Sequence, residues 1–408
     1  MSVPGLTFRP LRHSLPAKGA PMPNALSPRE ILDRLVAFPT VSRDSNLALI
    51  DWVEDYLDGF GIPCHRVWND TRTKASLYAQ AGPDVEGGVV LSGHSDVVPV
   101  DGQAWSTDPW TVTERDGRLY GRGTCDMKGF VALAIAALPL ALERGLRRPV
   151  QLALSHDEEV GCTGAPAMIA EMARTLPRAA GVIVGEPSGL RVVTGHKGGT
   201  GFRAHVRGYE VHSSLLHTGV SAIMAAAPIL DWANRMNAAN AAAPPQPLAA
   251  LFVPPYTTLH VGMIEGGTAH NITAADCRFS FEFRVVPGED IEAWVARFRA
   301  EVARAEAAMQ AVRPETFITL DRYFSIPPLR PEAQGAAEAL ARRLTGDNGT
   351  HVVSYGTEAG QFQAEGYSAV VCGPGDIVRA HQADEYLEVA ELAEGWAFVQ
   401  RLVETLAR

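Results

Sequence analysis

No apolar run in this chain approaches the roughly 20 residues needed to cross a bilayer, which argues against membrane insertion. Positive charge is in deficit. Lys and Arg number 36 against 46 Asp and Glu, a formal net charge of −10, so the phosphates of a nucleic acid would be repelled. Cysteine is sparse, and Cys64, Cys125, Cys162, Cys277 and Cys372 form no CxxC pair. An odd, scattered set reads as reduced thiols in the cytoplasm and excludes a disulfide framework. Residues 1–26 hold Arg9, Arg12, Lys18 and several prolines, with no acidic residue and no apolar signal-peptide segment. They read as a disordered leader, or as sequence ahead of a true start at Met22.

What is present is 46% hydrophobic residues in 408, too long for one ordinary core and therefore expected to form two domains. Ser27 is a plausible N-cap ahead of Pro28 and the helical pattern Ile31, Leu32, Leu35, Val36. Apolar runs at Val89–Leu91, Val150–Leu154, Gly181–Val184 and Ala369–Cys372 read as buried strands, with helices such as Gly129–Glu143 and Gly164–Leu176 between them. This alternation predicts an α/β fold, a mostly parallel sheet flanked by helices. From 197 to 325 the order changes to strand, helix, two strands, helix and strand, as in a small α+β unit with an antiparallel sheet. The expected division is residues 27–196 and 326–408 as a catalytic, metal-binding domain, with 197–325 inserted as a dimerisation or lid domain. Ala238–Pro247 is expected to be a flexible loop.

The chemistry lies where the strands end. Val89-Val90-Leu91 runs into His94 and Asp96, Leu152-Ala153-Leu154 into Glu158 and Glu159, Val182-Ile183-Val184 into Glu186, and Val370-Val371-Cys372 leads towards His381. Ligands of parallel sheets bind outside the carboxyl ends of strands, so these groups would share one pocket. With Asp126 added, His94, Glu159, Glu186 and His381 make an all nitrogen-and-carboxylate donor set. That suits two zinc ions, or cobalt, with one carboxylate bridging. Without cations the same acids would repel at a cost of several kcal/mol. Asp96, two residues along the strand from His94, is placed to orient its ring. Of the adjacent Glu158 and Glu159, one can ligate while the other moves a proton.

The stretches Gly93-His94-Ser95-Asp96-Val97-Val98-Pro99 and Tyr120-Gly121-Arg122-Gly123-Thr124-Cys125-Asp126-Met127-Lys128-Gly129 resemble the acetylornithine deacetylase and succinyl-diaminopimelate desuccinylase family of di-zinc exopeptidases. The resemblance runs over nearly the whole chain after the leader. It implies that His94 and Glu186 serve one metal and Glu159 and His381 the other, with Asp126 bridging and Glu158 as general base. It implies a homodimer formed through the inserted domain, in which His212 reaches the neighbouring active site to stabilise an oxyanion. Asn271, Arg284, Gly356 and Thr357 match substrate-contacting positions, the arginine suiting a carboxylate. Within the family, Asp101-Gly102-Gln103-Ala104-Trp105 and Thr124-Cys125-Asp126 are most similar to acetylornithine deacetylases. The expected reaction is therefore N2-acetyl-L-ornithine to L-ornithine and acetate, in arginine biosynthesis. Another N-acyl-amino-acid deacylase, a succinyl-diaminopimelate desuccinylase or a dipeptidase of the same fold is the alternative. Ser95 stands where threonine is more usual.

Blander readings compete at single positions. A histidine or glutamate after a strand is more often a cap or a solvated loop residue, and only the convergence of five outweighs that. His156, His196, His217 and His351 have no such support and read as structural or surface residues, while His212 could simply cap a helix. Gly121-Arg122-Gly123 begins a dinucleotide fingerprint, but Asp126 stands at its last glycine and would repel pyrophosphate. Cys125 reads as a packing thiol. A metal- or amino-acid-binding protein without catalysis would have no use for the free carboxylate of Glu158.

Overall fold

The computed structural model describes residues 24–408; the expected leader, with Met22, lies almost wholly outside the described residues. The first helix, Pro28–Val36, starts where its chemistry dictates. Ser27 and Glu30 form a reciprocal capping box, Pro28 occupies the first turn, and Ile31, Leu32, Leu35 and Val36 are buried.

The main sheet has eight strands in the order Cys64–Trp68, Ala75–Ala81, Val150–Ser155, Val89–His94, Gly181–Pro187, Ala369–Gly373, Val193–His196, His351–Val353. The four middle strands (150–155, 89–94, 181–187, 369–373) run parallel. Antiparallel pairing appears outside them, so the sheet is parallel at its centre and mixed at its margins. The middle strands are buried throughout because helices cover both faces. Leu91, Ile183 and Val370 face a core shared with helices Gly129–Arg144 and Val389–Ala407. Their neighbours Val90, Val182 and Val371 face a second core under Ala165–Thr175 and Ala359–Ala364. The most apolar helix, Gly129–Arg144, is buried along most of its length.

Residues 198–326 carry a second sheet, antiparallel, in the order Thr258–His260, Asp276–Val285, Gly198–Arg207, Phe317–Ile326, with Ile264–Gly266 also on Asp276–Val285. Along Asp276–Val285 alternate residues are buried, from Cys277 through Phe279, Phe281 and Phe283 to Val285. They meet Phe202, Trp232, Trp294 and Phe298 beneath helices Ala222–Ala242 and Ile291–Gln310. The Phe281 and Phe298 rings stack with centroids 4.3 Å apart. The opposite face, including Arg203, Glu282 and Arg284, is left to solvent and to the site described below.

One expectation fails. The loop expected at 238–247 is half helix, because Ala222–Ala242 runs into its first five residues. Alanine favours helix, and two asparagines pin the helix to the sheet edge: Asn237 donates to the carbonyl of Leu259 (2.7 Å) and Asn240 to that of Thr257 (2.8 Å).

Candidate metal centre

The parallel strands deliver their ends to one rim. His94 is the last residue of its strand and Glu186 lies near the end of the neighbouring one. Glu158 and Glu159 follow Val150–Ser155 by three and four residues. Asp126 sits in an irregular turn just before helix Gly129–Arg144, and His381 in the loop after Ala369–Gly373. His94 Nε2 lies 3.2 Å from Asp126 Oδ1 and 3.8 Å from Glu186 Oε1. His381 Nε2 lies 3.1 Å from Asp126 Oδ2 and 3.0 Å from Glu159 Oε2. Asp126 therefore presents one oxygen to each histidine. Donor atoms of His94, Glu158 and Glu186, and of His94, Asp126 and Glu159, also fall within 4.8 Å of one another.

The electrostatics are those of an acid cluster short of cations. Burial, with the charges of Glu159, Glu358 and Asp126 around it, pushes Glu158 up to about 8. Burial and Asp126 push Glu159 up to about 7, and Glu186 is raised by the same causes. Asp126 moves the other way. Burial would raise it, but hydrogen bonds from His381 and His94 hold it below the ordinary carboxylate range. Those bonds, with Glu159, push His381 up to about 10. Oε1 of Glu159 and Oε1 of Glu186 are buried without a hydrogen-bond partner. Buried carboxylate oxygens are seldom left unpaired, and imidazole with carboxylate is a donor set that zinc accepts. The residues present fit a metal centre.

Three of the sequence expectations need correction in detail. The ring of His94 is oriented by the backbone of Asp96: Nδ1–H donates to its carbonyl at 2.8 Å, whereas its carboxylate is 3.7 Å away. That carboxylate instead accepts the N–H groups of Glu158 (3.1 Å) and Glu159 (3.3 Å) and the Ser42 hydroxyl (2.7 Å), so it positions the paired glutamates. Thr357 is buried and its hydroxyl accepts the N–H of Ala359, capping a helix instead of lining the site. Asn271 is exposed and does not line this cavity; His212, expected to reach the site of a neighbouring copy, is likewise exposed and outside it. His212 Nδ1 accepts the N–H of Ser214 at the head of a short 3-10 turn.

Gly356 and Arg284 do line the cavity, of about 610 Å³, together with Arg203, Glu282, Tyr323, Phe324 and Tyr355. The cavity is roofed by the second sheet and floored by the acid cluster. Arg284 pairs with Glu282. Sequence reasoning missed Glu282 and Tyr355, whose local pattern carries no signal, and the buried Glu358, to which Ser92 and Ser155 donate. It also missed Arg122 and Glu385, a fully buried pair beneath the Asp126 turn. The spacing His381-Gln382-Ala383-Asp384-Glu385 was the available hint. Cys125 is buried and its thiol is pushed up by burial, as a packing thiol should be. His196 is buried with Nδ1–H donating to the Lys197 carbonyl (2.9 Å) and Nε2 accepting the N–H of Gly360 (3.1 Å), a structural role.

The profile of peptidase family M20/M25/M40 matches residues 90–405. A Myxococcus xanthus protein named acetylornithine deacetylase is 38% identical over 387 residues, covering 92% of this chain and 96% of that protein. One of the same name from Klebsiella pneumoniae (strain 342) is 34% identical over 388 residues, covering 90% and 94%. Among solved structures, an M20 family metallo-carboxypeptidase, Sso-CP2 from Sulfolobus solfataricus, superposes with a TM-score of 0.76 at 18% identity. It covers 94% of this chain and 99% of its own, and so shares the fold.

Proposed function

The chain belongs to peptidase family M20/M25/M40, and from that premise we propose that this metallo-hydrolase removes the acetyl group from N2-acetyl-L-ornithine, giving L-ornithine and acetate. This is a cytoplasmic step of arginine biosynthesis. The observation that carries the hydrolytic reading is Asp126, whose two carboxylate oxygens each face a different histidine in a pocket of unpaired carboxylate oxygens. The acetylornithine assignment rests on the two relatives of that name at 38% and 34% identity.

In this reading His94, Glu186 and Asp126 hold one divalent ion and Asp126, Glu159 and His381 the other, zinc by preference and cobalt as a substitute. The ions would polarise the amide carbonyl and make a water acidic near neutral pH. Glu158 takes the proton of the attacking water and returns it to the leaving nitrogen. The Asp96 carboxylate on its N–H (3.1 Å) fixes its backbone. The Cys162 thiol, donating to its Oε1 at 3.2 Å, fixes its side chain without removing its charge. Arg284, at the second-sheet wall, takes the substrate carboxylate in a two-pronged hydrogen bond. Gly356 lets substrate approach the backbone, and Thr357 holds that turn in place.

Residues 27–196 and 326–408 act as the catalytic unit and 197–325 as an inserted lid through which two copies dimerise. His212 and Asn271, outside the cavity of their own chain, serve that of a second copy, His212 stabilising the oxyanion. The test is a panel of N-acetyl amino acids, N-succinyl-diaminopimelate and dipeptides. We expect the highest kcat/KM for N2-acetyl-L-ornithine; a dipeptide or succinyl substrate turned over faster would overturn the assignment.

A further inference from the structure

We propose that Glu385, acting with Arg122 and Gln103, is a positioning clasp that holds Asp126 and His381 towards the ion they share. This rests on the metal-centre reading above. The Glu385 carboxylate is buried and is satisfied almost entirely by the turn that presents Asp126. Oε1 accepts the N–H groups of Cys125 (2.9 Å) and Asp126 (3.0 Å), and Oε2 accepts that of Gly123 (3.0 Å) and Arg122 Nη1 (2.7 Å). Three backbone donors on one carboxylate form an anion-binding concavity. It exists because Gly123 takes a left-handed backbone (φ 82), where a Cβ would lie 2.7 Å from Val97.

The same side chains reach His381. Arg122 Nη2 donates to Gln103 Oε1, and Gln103 Nε2 donates to the carbonyl of His381 at 2.9 Å. Arg122 Nη1 also reaches the carbonyl of Gln382 (3.2 Å), and its guanidinium lies over the Trp105 ring. His381 itself has a left-handed backbone (φ 64), a conformation that persists in a non-glycine residue only when its surroundings enforce it. The Asp126 turn and the His381 loop are thus tied by one continuous path of hydrogen bonds that does not pass through the metal-binding atoms. Neither Glu385 nor Arg122 lines the cavity, so their effect on chemistry would act through those two ligands.

The test is stepwise metal affinity. Wild type, Glu385→Gln and Gln103→Ala are stripped with chelator and titrated with zinc at buffered free concentrations. Bound metal is counted by elemental analysis, with far-UV circular dichroism and melting recorded in parallel. Wild type is expected to take two ions. Gln103→Ala, which loosens the His381 loop, is expected to lose affinity for the ion held by His381 by about 10–100-fold, the range for residues that orient metal ligands, while the other ion changes by only a few fold. Glu385→Gln, which also loosens the Asp126 turn, is expected to weaken both ions with its melting temperature little changed. Gln103 is only half-buried, so its variant decides the matter if Glu385→Gln fails to fold. Variants that bind both ions as wild type does, or that lose both in step with their melting temperature, would overturn the clasp alone. Fewer than two ions on the wild type would overturn the metal-centre reading and the clasp with it.

Discussion

Replacing Glu158 with Gln should lower activity and raise stability at once, and the two signs have separate physical origins. The substitution keeps side-chain volume and leaves an amide oxygen to accept the Cys162 thiol, but removes a proton carrier. Loss of general acid–base catalysis costs typically about 10²–10⁴ in rate, so kcat on N2-acetyl-L-ornithine should fall within that range with metal content unchanged. Stability moves oppositely. Burial and neighbouring acids hold Glu158 near 8 in the metal-free protein, against an ordinary 4.5. A carboxyl whose folded value is raised favours the folded state below about pH 4.5. It loses that contribution progressively as pH rises towards 8, because the unfolded chain ionises first. At pH 7 the gap is about 2.5 pH units, roughly 3 kcal/mol at 1.36 kcal/mol per unit. The side chain is only partly buried, so solvent screening makes that figure an upper bound. Gln carries no such cost, so metal-free Glu158→Gln should unfold in urea at a higher midpoint than metal-free wild type at pH 7, with the difference shrinking towards pH 4.5. Near-normal turnover would refute the proton-transfer role, and a lowered midpoint would refute the electrostatic account of the pocket.

Chelation should abolish turnover and addition of zinc or cobalt should restore it; activity that survives metal depletion verified by elemental analysis would count against the mechanism. Gly185→Ala would place a Cβ about 1.9 Å from the Phe130 ring, displacing the strand that carries Glu186. We expect a destabilisation of roughly 1–3 kcal/mol or more, read as a lower thermal midpoint, together with weakened metal binding. Burial holds His196 down to about 4 against an ordinary 6.5, so its contribution is complete above pH 6.5 and lost as pH falls towards 4. The chelator-treated His196→Gln variant should show a flatter stability profile over that interval than wild type, by up to roughly 3 kcal/mol; parallel profiles would refute the assignment. Phe298→Ala, at the centre of the second core, should cost about 3–5 kcal/mol in urea unfolding.

The fold was most legible where burial leaves no choice of residue. The four central strands are apolar on both faces and stand out as runs, and the helices between them show their period. The marginal strands did not stand out. Cys64–Trp68 has exposed and half-exposed positions throughout, and His351–Val353 is three residues long, too short for a period to register. The helix end at Ala242 was misread because Asn237 and Asn240, turn-formers in isolation, are employed here as tertiary hydrogen-bond donors. Composition cannot distinguish those two uses.

At the site the sequence yields the charged groups but not the scaffolding that orders them. His94, Asp126, Glu159, Glu186 and His381 can be picked out because each ends a strand or lies in a recognisable stretch. Glu158, Glu159 and Glu186 are also residues whose charge burial opposes. Groups forced together against their own electrostatics must be held by something, and the holding is done by ordinary features. They are the backbone carbonyl of Asp96 on the His94 ring, the Asp96 carboxylate on two amide N–H groups, and Glu385 on three more. Those contacts use main-chain atoms that every residue possesses, so nothing in the residue types announces them. The division follows from the physics: a ligand must carry a particular donor, whereas an orienting contact needs only a donor or acceptor in the right place. The acids of this rim can therefore be read from sequence, and the geometry that brings them together only from the folded chain.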